Sequence, residues 1–372
     1  MEAQTLDVVV VGAGQSGLAT GYFLQRAGLD FTILETNDRV GSGWRRRWPS
    51  LRLYTPARYS SLPGLKFPSP GGSYPGKDEF ADYLESYAKH FRLPVQTGVQ
   101  VLAVRRNGGL FEVQTSSGTI LARAVVASPG ATSTPYVPEV ALDLDYKIQQ
   151  LHSLDYRGPA GLPAGDVLVV GAGCSGAEIA LELAHEHPSG KIYLAGRPTP
   201  HIPDAAFRWA GPIFWRLINS VLTLDTKSGR KVAADFHSRG APLFRISIKD
   251  VERAGVIRLP RVSGAVDGKP VFDVGTSDGG TASPGAVPGN LGTVIWATGY
   301  RPDYGWIEGL PVDELGWPVN TRGVVEEIPG LYFVGMPFQY ALASGTVGGV
   351  GRDAEYVVEK LLAGNSLART NA

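Results

Sequence analysis

The chain has 372 residues, more than one typical domain needs and enough for two hydrophobic cores. Its 35 Lys and Arg residues balance 35 Asp and Glu residues, so no net charge attracts it to nucleic acid or to an anionic membrane. The single cysteine, Cys174, excludes an internal disulfide framework and a Cys-x-x-Cys redox pair. We therefore expect two domains that act on small molecules.

The N-terminal residues lead directly into an apolar strand pattern, without the basic segment and apolar core of a signal peptide. This pattern indicates a cytoplasmic protein. The most lipophilic segment, residues 205–224, contains two arginines and is interrupted by Gly211-Pro212, so we expect no transmembrane span there. A lid, a dimer surface and a peripheral membrane contact all stay open for this segment.

Two nearly identical glycine-rich turns dominate the chain. The first is VVVVGAGQSG at residues 8–17, and the second is VLVVGAGCSG at residues 167–176. Each follows an apolar strand pattern and precedes an Ala- and Leu-rich helical pattern, the context in which G-x-G-x-x-G binds a dinucleotide. The glycines permit a sharp turn and a close approach to a pyrophosphate, whose charge lies at the helix N-terminus. The repeat therefore predicts two dinucleotide sites.

The first unit has the order of half a Rossmann fold: strand 8–11, turn, helix 16–27 and strand 31–34. Glu35 follows, 23 residues after Gly12, near the spacing of the carboxylate that binds an adenosine ribose. Three alternating runs in residues 99–127 are separated by turn sequences and predict a β-meander.

The second unit repeats this plan, because Gly171 follows Gly12 by 159 residues. Runs at 256–259, 271–274 and 293–296 predict a second meander, and the Gly-, Ser- and Pro-rich residues 275–289 a loose connector. An insertion at 201–252, rich in Trp, Phe and Arg, is a natural place for structure that shapes a substrate site. Residues 330–335 then predict a strand, and residues 352–362 a helix.

The ends of two equivalent strands differ, and this difference assigns the dinucleotides. Glu35 follows the first strand, whereas Ala195, Gly196 and Arg197 end the second. A carboxylate suits a free ribose 2′-hydroxyl, and a guanidinium suits a 2′-phosphate. The sequence predicts FAD in the first site and NADPH in the second, with NADH as an alternative reductant because one loop arginine discriminates modestly. A solvated loop arginine is the other interpretation of Arg197.

These assignments predict an α/β protein with two Rossmann-like, three-layer domains. If residues 330–335 return to the first sheet, the second domain is inserted into the first. The FAD-binding domain then comprises residues 1–153 and 292–372, and the NAD(P)H-binding domain comprises residues 154–291, including the helical insertion at 201–252.

Further motifs make the sequence resemble the flavin-containing monooxygenases, including their short bacterial relatives and the plant YUCCA-like enzymes. They are GWR at 43–45, SLRLYTP at 50–56, LHSLDY at 151–156, ATGYRP at 297–302, LYFVG at 331–335 with Gln339, and GRD at 351–353. The resemblance covers nearly the whole chain and implies a glutathione-reductase-like domain arrangement. It implies an FAD-dependent NADPH monooxygenase that uses O2 and a C4a-hydroperoxyflavin to oxygenate a soft nucleophile, a sulfide or an amine.

The family signature F-x-G-x-x-x-H-x-x-x-[F/Y] falls on Tyr146, Ile148, His152 and Tyr156, a partial match. Baeyer–Villiger monooxygenases usually have Trp at the last position, so Tyr156 favours the other branch. The resemblance gives His152, Tyr54 and Gln339 as candidate residues for the reaction. For His152 it implies a structural or linking role where the domains join, rather than proton donation.

The glycine turns and the resemblance together give the cofactor-binding candidates. For FAD they are Gly12, Gly14, Gln15, Ser16, Gly17, Glu35, Gly43, Trp44, Ser128 and Gly335. For NADPH they are Gly171, Gly173, Ser175, Gly176 and Arg197, and Ala297, Thr298 and Gly299 are further cofactor-binding candidates. Trp44 is either a flavin cover or an ordinary core residue. We expect no metal site, because His185 and His187 point in different directions on a predicted helix.

Three other functions stay open at this point. The departures at Ile148 and Tyr54 are compatible with an NAD(P)H oxidase or quinone reductase that releases H2O2 or a reduced acceptor. A Baeyer–Villiger-type oxygenase is the second alternative, and a flavin-binding redox sensor without turnover is the third. A homodimer is a reasonable expectation for such an enzyme.

Overall fold

Each glycine turn follows the carboxyl end of a strand. Within the described residues, the first of these strands belongs to a seven-stranded sheet and the second to a separate five-stranded sheet. The computed structural model describes residues 5–131, 134–186, 190–239, 241–273 and 288–364. The predicted connector at 275–289 therefore lies largely outside the described residues, as do Val274 and His187.

The strands of the described residues are given in chain order. They are β1 (Leu6–Val11), β2 (Phe31–Glu35), β3 (Val95–Thr97), β4 (Val101–Asn107), β5 (Leu110–Thr115), β6 (Gly118–Ala127), β7 (Thr134–Pro135), β8 (Gln149–His152), β9 (Asp166–Val170), β10 (Ile192–Ala195), β11 (His201–Ile202), β12 (Leu243–Phe244), β13 (Ile257–Leu259), β14 (Val262–Val266), β15 (Lys269–Phe272), β16 (Leu291–Trp296), β17 (Tyr300–Arg301) and β18 (Leu331–Phe333).

The α-helices of the same residues are given next in chain order. They are α1 (Gln15–Arg26), α2 (Ser42–Arg45), α3 (Lys77–His90), α4 (Cys174–Glu186), α5 (Asp204–Arg216), α6 (Lys227–Arg239), α7 (Ile248–Arg253) and α8 (Val350–Ala363). Short 3-10 turns lie at Ala57–Tyr59, Glu139–Asp143, Pro159–Gly161 and Leu342–Gly345, and a π-helical turn lies at Leu217–Val221. None of these helices combines the length and the apolar character that crossing a bilayer requires.

The first sheet has the order β3-β2-β1-β6-β5-β4, with β1, β2, β3 and β6 parallel. The predicted meander is confirmed, since β4, β5 and β6 pair antiparallel. β18 returns to this sheet and pairs with the last residues of β6. Successive side chains of β1 alternate between two cores: Val8 and Val10 face α1, α3 and α8, whereas Val9 faces the meander.

The second sheet is entirely parallel, with the order β13-β10-β9-β16-β8. It extends beyond the predicted domain bounds of 154 and 291, because β8 precedes the first and β16 runs past the second. The second meander prediction is wrong: β13 and β16 are parallel strands on opposite sides of β9 and β10. Among the described residues of the predicted meander, β14 and β15 form a separate antiparallel hairpin, which covers one face of the sheet while α4 and α7 cover the other.

The two domains are joined by a pair of crossing segments. β7 leads out of the first domain and pairs antiparallel with β17, which leads back. The predicted insertion also connects both domains, since the Trp215 ring in α5 stacks on Tyr59 at 5.0 Å. The backbone N–H of Leu224 donates to the carbonyl oxygen of Tyr340 at 2.8 Å. The insertion therefore packs across the boundary between the domains.

Candidate dinucleotide and interdomain site

The three glycines of the first turn differ in the space that is available for a side chain. Gly12 has φ +99°, and a Cβ there would lie 2.4 Å from the carbonyl oxygen of Ser128. A Cβ on Gly17 would lie 1.8 Å from the carbonyl oxygen of Gly12. Gly14 has no atom within 4 Å of its Cβ position. Packing therefore requires Gly12 and Gly17, whereas Gly14 leaves open space on the side where a pyrophosphate would approach.

Both helices that follow the turns are arranged to receive an anion. α1 begins at Gln15 without a side-chain cap, and neither α1 nor α4, which carries Ser175 in its first turn, has an acidic residue there. Since a helix N-terminus carries partial positive charge, this end is left for a phosphate group. Opposite the first turn, the buried Oγ of Ser128 has no hydrogen-bond partner among the described residues. These features fit a bound dinucleotide.

Glu35 is held in place at the end of β2. One carboxylate oxygen, Oε2, accepts the backbone N–H of Ala13 at 3.0 Å, and Oε1 accepts the backbone N–H of Asn37 at 3.0 Å. Only 9% of Glu35 is exposed. The carboxylate is thus fixed beside the glycine turn, where an adenosine ribose would lie.

Gln339 lies beside the same turn through Gly335. A Cβ on Gly335, which has φ +96°, would lie 2.1 Å from Oγ of Ser16 in α1. The Oε1 of Gln339 accepts the N–H groups of Gly335 and Met336 at 3.0 and 3.3 Å, and its Nε2 donates to the carbonyl oxygen of Phe333 at 2.9 Å. Through these contacts, Gln339 holds the Gly335 turn against α1.

The second turn repeats the packing of the first. A Cβ on Gly171, at φ +112°, would lie 2.3 Å from the carbonyl oxygen of Ala297, and one on Gly176 would lie 1.8 Å from that of Gly171. Gly173 has no atom within 4 Å of its Cβ position. The same division holds, with two glycines required by packing and one facing open space.

Arg197 lies on an exposed loop at the carboxyl end of β10. The preceding Gly196 has φ +113°, and its carbonyl oxygen accepts Nη2 of Arg258 at 2.7 Å. Arg258 was not among the sequence candidates. In the sequence, the signal that could have identified Arg258 is the presence of a charged residue inside an otherwise apolar strand pattern.

His152 and Gly299 join the two crossing segments. The Nε2 of His152 lies 3.0 Å from the carbonyl oxygen of Gly299, and Nδ1 accepts the backbone N–H of Leu154 at 3.1 Å. This pattern is satisfied by a neutral imidazole with its proton on Nε2. The N–H of Tyr136 also donates to the oxygen of Gly299, and the hydroxyl of Thr298 donates to the carbonyl oxygen of Tyr136. His152 and Thr298 therefore occupy linking positions between the domains.

A second link, which the sequence did not indicate, involves Arg47. Its guanidinium donates to the hydroxyl of Tyr300 and lies 5.4 Å from the centre of that ring. The Tyr300 ring meets the His152 ring edge to face at 5.1 Å. Arg47 thus connects the segment after α2 to the returning crossover.

We expect the contribution of His152 to stability to depend on pH. Burial holds the pKa of His152 below its usual value, so the unfolded chain binds the proton more readily. The contribution is full above the unfolded pKa of about 6.5 and is lost as the pH falls below it. The difference in unfolding free energy between the wild type and His152→Gln should therefore shrink between about pH 7 and pH 5. The exposed His90→Gln variant is the control, and a difference independent of pH contradicts the expectation.

Tyr54 lies where the two domains face each other. Its ring stacks on Phe244 at 5.7 Å, and 39% of the residue stays exposed. Desolvation of its hydroxyl, with the nearby Cys174 and Glu178, nevertheless raises the pKa of Tyr54 well above its usual value, so the phenol is protonated at neutral pH. Nearby, burial raises the pKa of the Cys174 thiol to about 12, and Sγ donates to the carbonyl oxygen of Pro242. Cys174 is therefore not a thiolate nucleophile.

Trp44 packs into the protein core. It meets Phe80 edge to face at 4.9 Å and contacts cores of both domains. The neighbouring Gly43 is exposed in α2. Trp44 is half-buried, so the ordinary packing interpretation accounts for its contacts and the flavin-cover interpretation stays a prediction.

Two dinucleotide turns on separate sheets, joined by paired crossovers, define an oxidoreductase with two dinucleotide-binding domains. Residues 9–231 match the family model described as pyridine nucleotide-disulphide oxidoreductase. The chain belongs to this family. The predicted two-domain α/β fold and oxidoreductase class are confirmed.

Individual relatives agree with this assignment. The chain is 36% identical over 360 residues to a CzcO-like oxidoreductase of Geobacillus kaustophilus, covering 96% of this chain and 98% of the relative. It is 34% identical over 370 residues to the indole-3-pyruvate monooxygenase YUCCA1 of rice, covering 88% and 86%. A flavin-containing monooxygenase from Stenotrophomonas maltophilia superposes with a TM-score of 0.75 at 28% identity, covering 97% and 99%. The predicted resemblance to flavin-containing monooxygenases is confirmed.

Proposed function

We propose that this protein is an FAD-dependent monooxygenase that takes reducing equivalents from NADPH and oxygenates a small soft nucleophile, a sulfide or an amine. The observation that carries the proposal is the pair of similar glycine turns with unlike strand ends, Glu35 beside the first and Arg197 beside the second. The resemblance to flavin-containing monooxygenases and to an indole-3-pyruvate monooxygenase supports the oxygenase assignment.

The chain's own residues have binding and positioning roles in this scheme. Glu35 accepts hydrogen bonds from the adenosine ribose of FAD, and the N-terminus of α1 binds its pyrophosphate. Arg197 binds the 2′-phosphate of NADPH through its guanidinium. Bound in this way, FAD would supply the redox chemistry: electrons from NADPH would reduce O2, with one oxygen atom incorporated into the substrate and the other released as water.

The residues between the domains fix the positions of the two cofactors relative to each other. The neutral His152 and Thr298 hold the crossovers, and Gln339 holds the Gly335 turn against α1. The protonated hydroxyl of Tyr54 lies beside Cys174, where the two domains face each other. These are positioning roles for His152 and Gln339, and Tyr54 is the candidate that faces the reaction.

Product analysis with isotopically labelled oxygen tests the proposal. The FAD-loaded protein is supplied with NADPH, ¹⁸O2 and either methyl phenyl sulfide, trimethylamine or cyclohexanone, and H2O2 is measured in parallel. We expect sulfoxide or N-oxide that carries one labelled atom and matches the NADPH consumed. Stoichiometric H2O2 with every substrate supports the oxidase alternative instead, and a labelled lactone from the ketone supports the Baeyer–Villiger alternative. A homodimer stays a prediction.

A further inference from the structure

A buried arginine lies beneath the loop that carries Arg197. Arg258 is on β13, in register with Leu194 of β10, and only 8% of its surface is exposed. Arginine is almost never this buried without a partner, because removing a cation from water is costly. Burial correspondingly lowers the pKa of Arg258 from its usual value, although the charge of Glu252 favours the protonated form.

The hydrogen bonds of Arg258 are incomplete. A guanidinium has five N–H donors, and in this structure Nη2 donates to the carbonyl oxygen of Gly196 at 2.7 Å. Within the described part of the chain, the buried Nε and Nη1 atoms have no acceptor. The unpaired donors therefore indicate an acceptor that comes from outside the described chain.

The position of Arg258 indicates what that acceptor is. Gly196 directly precedes Arg197 at the carboxyl end of β10, the place where the 2′-phosphate of a dinucleotide lies in such a fold. The same loop contains Thr199, whose buried Oγ1 also has no partner among the described residues. A buried cation and a buried hydroxyl together match a phosphate, which accepts hydrogen bonds from both.

We propose that Arg258 is a second specificity determinant for the 2′-phosphate of NADPH. It holds the Arg197 loop through the carbonyl oxygen of Gly196 and places a positive charge at the base of the phosphate site. The proposal rests on NADPH as the reductant in the function proposed above.

Ligands that differ only in the 2′-phosphate test this role without turnover. Calorimetric titration of the FAD-loaded protein compares adenosine 2′,5′-bisphosphate with AMP, and NADP+ with NAD+. Arg258→Met removes the charge but keeps an apolar stem. We expect it to weaken binding of the two 2′-phosphorylated ligands about tenfold or more, and of AMP and NAD+ less than about twofold.

Two further variants calibrate the result. Arg197→Ala should show the same selective loss, since it removes the other cation of the site. Arg253→Met is the matched control, because Arg253 lies on α7 before β13, with 76% of its side chain exposed and paired with Asp250 at 3.4 Å. Binding of all four ligands should be unchanged in this control.

The outcomes separate this proposal from the proposed function. A folded Arg258→Met variant with unchanged preference for 2′-phosphorylated ligands, or with equal losses for both classes, overturns the role of Arg258 alone. If that variant does not fold, Arg258→Lys is used, which keeps the charge without the planar fork and should still lose affinity selectively. An unchanged preference in Arg258→Lys then overturns the role. A wild type that binds adenosine 2′,5′-bisphosphate and AMP alike overturns the NADPH assignment and this proposal with it.

Discussion

A Gly176→Ala variant should lose about 3 kcal/mol or more of unfolding free energy in the absence of a nicotinamide dinucleotide. The added Cβ would lie 1.8 Å from the carbonyl oxygen of Gly171, a backbone atom that cannot rotate away. Relief requires the start of α4 to move off the glycine turn. Urea unfolding followed by tryptophan fluorescence measures the loss.

Gly173→Ala is the matched variant, three residues earlier in the same turn. No atom lies within 4 Å of its Cβ position, so the ligand-free stability should stay at the wild-type level or rise slightly. The methyl group instead occupies the space where the pyrophosphate approaches, and we expect NADP+ binding to weaken about tenfold or more. Wild-type stability in Gly176→Ala, or parallel losses of stability and binding in Gly173→Ala, would refute this division of roles.

The second large effect is expected for Gln339→Ala. The substitution leaves the N–H groups of Gly335 and Met336 and the carbonyl oxygen of Phe333 without the side chain that pairs them. Each buried polar group without a partner costs about 1–3 kcal/mol, so the variant should lose about 3 kcal/mol or more of stability. It should also retain less FAD after purification, because the Gly335 turn that contacts α1 is released.

The same experiment decides how Gln339 acts. A positioning role predicts that melting temperature, flavin content and turnover fall together. Normal melting temperature and flavin content with lost turnover would instead assign Gln339 a direct part in the reaction. Gln100→Ala is the control, since Gln100 is an exposed glutamine on the first domain, and it should leave all three measurements unchanged.

The elements around the glycine turns were predictable because their signals are local. The alternation of apolar residues in β1, the glycines that follow and the helical pattern of α1 lie within one stretch of chain. The predicted helix at 16–27 is observed as Gln15–Arg26. Glu35 was also predictable, because its distance from the turn is set by the length of one helix and one strand.

The boundary of the second domain was less predictable. β8 and β16 pair with each other in parallel, although more than a hundred residues separate them, and neither run shows by itself which sheet it joins. The substitution of glycine by Ile148 in the family signature has a structural account here, since Ile148 is buried in the core of the second domain with Leu144. Which sheet a strand joins, and which residues fill a core, both depend on long-range packing.

The contacts of individual polar residues were the least predictable. The resemblance made Gln339 a candidate residue for the reaction, but it did not indicate that the amide of Gln339 pairs with four backbone groups. Arg47 and Tyr300 meet across 253 positions of the chain. In the run Val-Ile-Arg-Leu, the strand pattern does not indicate that Arg258 turns inward beneath the loop of Arg197.

The two dinucleotide turns and their unlike strand ends, Glu35 and Arg197, are readable from the sequence alone, because these features depend on neighbouring residues and on short fixed spacings. The side chains that hold the crossovers, and the second arginine under the Arg197 loop, are visible in the tertiary structure alone. Parallel pairing and burial join residues that are far apart in the chain, so their energies depend on three-dimensional neighbours rather than on sequence order.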